Sequence, residues 1–104
     1  MESKKIITEA ITHYGEAHQI IKAIEEMSEL TKELSRFMEG LLEGTYVNHA
    51  DLRDRAKCLI SEEMADVEVM LRQLKLIFNN EQAVNNVIDG KLKRLQSRMD
   101  GDGK

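Results

Sequence analysis

The chain has 104 residues, 41% of them hydrophobic and 33% charged, with a formal net charge of −4. That balance predicts one small soluble domain rather than a disordered chain, and the acidity disfavours nucleic-acid polymers and anionic membranes as partners. The absence of proline, the few aromatics and the abundant Glu, Lys, Leu, Ile and Met favour an all-α chain.

The first helix opens at Ser3, a suitable N-cap, and carries Ile6, Ile7, Ala10, Ile11 and Tyr14 at helical spacing up to Gly15. A second helix is predicted from Glu16 to Glu39, closed by Gly40. The segment from Leu41 to Asn48 reads as a connection, with Asn48 capping a long third helix that runs to Phe78. Asn79, followed by Gln82 in capping-box register, opens a fourth helix that runs to Met99 despite Gly90. The domain thus spans 1–99, with 100–104 as a mobile polar tail. The predicted architecture is an all-α bundle of about four helices, its two long helices antiparallel.

Those two long helices carry short acidic motifs, Glu25-Glu26-Met27-Ser28-Glu29 and Glu62-Glu63-Met64-Ala65-Asp66. In each, two carboxylates three residues apart share one side of the helix, roughly 5–6 Å apart at Cβ. Facing one another, the pairs would gather four carboxylates that repel unless a cation sits among them. Hard oxygen ligands without Cys or His favour Mg²⁺, Mn²⁺ or Ca²⁺ over zinc. Projected at about 100° per residue, Glu63 falls inside the apolar arc of the third helix and Asp66 at its edge. On the second helix Glu26 borders the arc, while Glu25 and Glu29 face further out. A carboxylate inside an apolar stripe needs a cation or hydrogen-bond donors.

The fourth helix is complementary. Lys91 and Arg98 fall within the stripe of Val84, Val87, Ile88, Leu92, Leu95 and Met99, with Arg94 at its edge. Such cations either meet a phosphate, pair with Glu63 and Asp66, or snorkel over a partner subunit. The histidines lack a Glu-x-x-His pattern, which argues against a di-iron centre. Cys58 has no neighbouring histidine in sequence to activate it, and cannot form an internal disulfide. No apolar run approaches the roughly 20 residues of a membrane span. Polar residues follow Met1-Glu2-Ser3-Lys4-Lys5 too soon for a signal-peptide core, so a cytoplasmic location is predicted.

Glu25-Glu26-x-x-Glu29 followed by Glu63-x-x-Asp66 resembles the signature of MazG-like all-α nucleoside triphosphate pyrophosphohydrolases, small phage-type members in particular. The resemblance extends over Ala23–Leu30, Ala65-Asp66-Val67 and the basic Lys91–Leu95 segment. It implies that Glu26, Glu29, Glu63 and Asp66 bind Mg²⁺, and that Glu25 and Glu62 either support those ligands from behind or orient the attacking water. It also implies phosphate contacts from Lys91, Arg94 and Arg98. Gln19 resembles a position near the nucleotide, an exposed polar role being its alternative. The implied reaction splits a nucleoside or deoxynucleoside triphosphate into monophosphate and pyrophosphate. Narrower dUTP or dCTP specificity, phosphoribosyl-ATP hydrolysis and a non-catalytic helical interaction protein are the alternatives. The spacer between Glu29 and Glu63 is longer than the family's usual one, which leaves base preference open. A chain this small with such apolar helices also predicts a homodimer or homotetramer.

Overall fold

Two heptad-spaced seams hold the molecule together. In the computed structural model, which describes residues 2–102, four helices follow one another: α1 (Glu2–Tyr14), α2 (Glu16–Glu43), α3 (Ala50–Ile77) and α4 (Glu81–Asp102). The fold is all-α, with no strand among the described residues. α2 and α3 pack antiparallel along their length. The α2 seam is Gln19, Ala23, Glu26, Leu30, Glu33, Phe37 and Gly40, all buried or half-buried. It meets Ala56, Ile60, Glu63, Val67, Met70, Gln73 and Ile77 of α3. Steps of three and four residues, alternating throughout the α2 seam and doubled at three only around Met70 in α3, are the geometry of helices crossing at a shallow angle.

The helix ends differ from the sequence expectation in instructive ways. Gly40 does not close α2. It lies within the helix and is buried because the ring of Tyr46 rests on it, Tyr46 in turn stacking on Phe37 at 5.2 Å between centroids. α2 ends instead at Gly44, in the left-handed region at φ 73°. There Thr45 N–H donates to the Gly40 carbonyl (2.9 Å) and Gly44 N–H to that of Leu41 (3.3 Å), a Schellman closure. Asn79 likewise closes α3 rather than opening α4: at φ 49° it sets Asn80 N–H on the Lys75 carbonyl and its own N–H on that of Leu76, both at 3.2 Å. Asn48 also adopts a left-handed conformation, so His49 takes the N-cap position of α3 without a side-chain cap. Ser3 lies inside the first turn of α1, and Gln82 bonds to Asn86 rather than back to a cap.

α1 leans on both α2 and α3, joined to α2 through Gly15 at φ 92°. α4 makes no extended contact with the other helices and buries none of its residues. It continues through Asp102, supported by a Gln96–Asp100 hydrogen bond of 2.8 Å, so the tail does not begin at Asp100. The rest of the expected tail, 103–104, lies outside the described residues. No described helix is long and apolar enough to cross a membrane.

Candidate metal centre

The antiparallel register of α2 and α3 places the two acidic motifs opposite each other near mid-seam. Carboxylate oxygens of Glu26, Glu63 and Asp66 lie within 4.8 Å of one another. Glu26 and Glu63 are half-buried because both occupy seam positions, whereas Asp66 lies at the seam's edge and is exposed. Glu29 is exposed on the next turn of α2, close enough for its charge to act on Glu63. Three of the four expected ligands therefore converge, with the fourth alongside.

Glu63 bears the electrostatic load. Its Oε2 is buried and has no hydrogen-bond partner. Burial is the main cause that pushes its carboxyl above the ordinary glutamate value, and the charges of Asp66, Glu26, Glu29 and Glu33 push it further. No cation among the described residues forms an ion pair with Glu63 itself. Lys22, one turn before Glu26 on α2, binds Glu26 at 3.1 Å and reaches Glu25 at 3.9 Å. Its ammonium is held above the usual lysine range by the Glu26 hydrogen bond and charge, with smaller contributions from Glu25 and Asp66. A buried orphan oxygen, a cluster of acids and an all-oxygen donor set fit a hard divalent cation.

The remaining predicted site residues divide cleanly. Glu25 and Glu62 are exposed at the rim, Glu25 beside Lys22 and Glu62 free of any ion pair among the described residues. Gln19 is neither exposed nor free: it is buried and donates to the Gln73 side-chain oxygen at 2.7 Å, while its own oxygen meets His18 Nδ1 at 2.8 Å. Lys91, Arg94 and Arg98 are exposed on α4 and are not seated on the acidic face of their own chain.

Sequence reasoning missed three residues. Glu33 is half-buried on the seam, paired with Arg36 at 3.3 Å and felt by Glu63. Its spacing of seven from Glu26 was the available signal. Lys22 is signalled by i,i+4 spacing to Glu26. Gln73, the buried partner of Gln19, had no local signal. Comparison with known proteins adds nothing to this geometry, because no protein family, curated relative or solved structure matches the chain.

Proposed function

We propose that this chain is a Mg²⁺-dependent nucleoside triphosphate pyrophosphohydrolase of MazG-like type. The carrying observation is the convergence of Glu26, Glu63 and Asp66 oxygens within 4.8 Å around an orphaned Glu63 Oε2. Those three residues and Glu29 would hold Mg²⁺, or Mn²⁺ in its place. When bound, such an ion neutralises phosphate charge and acidifies water.

The chain's own residues supply the rest. Glu62, exposed beside Glu63 and without an ion pair among the described residues, is the group that would accept a proton from attacking water. Glu25 is its alternative, with its basicity moderated by Lys22 at 3.9 Å. Lys91, Arg94 and Arg98 offset phosphate charge, delivered from a second copy because α4 is not packed on its own carboxylate face. That makes the working species a homodimer, or a homotetramer built from it. A non-catalytic interaction protein whose acids and bases pair between helices is less well supported: every ion pair among the described residues lies within α2.

Pyrophosphate release from a panel of canonical nucleoside and deoxynucleoside triphosphates tests the reading, dUTP and dCTP included. Wild type should release pyrophosphate with Mg²⁺ and stop in EDTA, and Glu63→Gln should lose at least about 100-fold in kcat/KM. Full activity in Glu63→Gln would overturn the assignment.

A further inference from the structure

A concavity lies away from the carboxylates, where the start of α1 and the start of α4 meet the end of α3. It has a volume of about 310 Å³ and is lined by Ser3, Lys4, Ile7, Arg72, Lys75, Leu76 and Glu81. Three cations therefore face one carboxylate across a shared space. None of the three is within ion-pair distance of an acid among the described residues, Glu81 included. Lys75 is also half-buried, which holds its side chain at this cavity rather than free in solvent. Counting about 100° per residue from Glu63, Lys75 and Arg72 lie about 120° and 180° around α3, whereas Gln73 lies about 280° around on the side that meets α2. The cavity and the carboxylate cluster are thus on different faces of α3.

We propose that this cavity is a separate binding site for a small phosphorylated, hydroxyl-bearing molecule of the sugar-phosphate or mononucleotide class. Arg72 offers a planar two-point donor to phosphate oxygens, Lys4 and Lys75 add point charges, and Ser3 adds a hydroxyl. Glu81 is the acceptor that suits ligand hydroxyls, and half-buried Ile7 and Leu76 give the sugar an apolar wall. The volume lies at the small end of the range for small-molecule sites, which suits a compact phosphorylated ligand. The site requires no metal and does not depend on the proposed hydrolysis.

Titration of the full chain with ribose 5-phosphate, followed by amide NMR shifts in EDTA, tests it. Saturable shifts are expected at Ser3, Lys4, Ile7 and Leu76, with unphosphorylated ribose giving none. Arg72→Gln combined with Lys75→Gln should raise the apparent Kd at least tenfold while retaining a folded spectrum, and Glu63→Gln should leave it unchanged. The idea is overturned by non-saturating shifts, by equal shifts around Arg94 and Arg98, or by undiminished binding in the double variant. Loss of the hydrolase assignment would leave these outcomes unaffected, so the two can fail separately.

Discussion

At Glu63, burial and four neighbouring carboxylates act in the same direction, and no cation among the described residues pairs with Glu63 to oppose them. Because the folded-state pKa is raised, the native state binds more protons than the unfolded chain between the ordinary value of 4.5 and the raised one. Stability in EDTA therefore falls as pH rises through that window and remains low above it. Glu63→Gln should raise the thermal midpoint of the metal-free protein at neutral pH, the two curves converging as pH drops below 4.5. Mg²⁺ should raise the wild-type midpoint and leave that of Glu63→Gln nearly unmoved. A wild-type midpoint in EDTA that climbs from acid to neutral pH relative to the variant's would contradict this. The glutamine pair next along the seam obeys a different rule. Gln19→Leu strands the buried Gln73 oxygen and should cost about 1–3 kcal/mol in urea denaturation, while Leu at both positions should be far milder.

At the scale of elements, two glycines inside helices should respond oppositely to alanine. A Cβ at Gly40 would lie 2.5–2.9 Å from ring atoms of Tyr46, which is packed on Phe37 and has little room to retreat. Gly40→Ala should therefore lose about 1–3 kcal/mol despite alanine's better helix propensity. Gly90 faces open space, so Gly90→Ala should gain up to about 1 kcal/mol if α4 unfolds with the rest. Urea midpoints of both variants decide the matter, and equal signs would refute it. The same contrast explains what was legible in the sequence. Four helices and their approximate spans could be read because apolar periodicity is local. The closures at Gly44 and Asn79 could not, because Gly40 and Asn79 carry plausible signals of their own and only Tyr46 and the α3 hydrogen bonds decide between them. Glu63 stood out in projection because it interrupts apolar neighbours. Glu26 and Glu33 did not, since the apolar arc of α2 is wider than its seam: on the projection with Ile20 at zero, the seam centres near about 250° and the arc near 0°. The arc averaged the buried seam with an outward stripe of Ile24, Met27, Leu34, Met38 and Leu41, all 40% exposed or more.

That outward stripe belongs to the whole molecule's problem. A folded monomer of 11.9 kDa should expose about 6,000 Å² and have a radius of gyration near 13 Å. This chain exposes 8270 Å² with a radius of 17.9 Å, and its buried apolar side chains are Ala23 and Met70 alone among the described residues. The excess, roughly 2,300 Å² per chain, matches what an obligate homodimer covers. α4 presents the natural seam, Val84, Ile88, Leu92, Leu95 and Met99 in steps of four, four, three and four residues. Light scattering should give at least a dimer at micromolar concentration, and Ile88→Asp with Leu92→Asp should dissociate it and lower the thermal midpoint. If a second copy also brings the α4 cations to the carboxylates, a cage variant and a cation variant should rescue each other. Glu63→Gln and Arg94→Glu, each impaired alone, would on unfolding and refolding together recover roughly a quarter of wild-type pyrophosphate release, since half the dimers are mixed and each mixed dimer has one intact site. Supply of the cations within one chain predicts no recovery at all, because every chain in the mixture then carries a defective site.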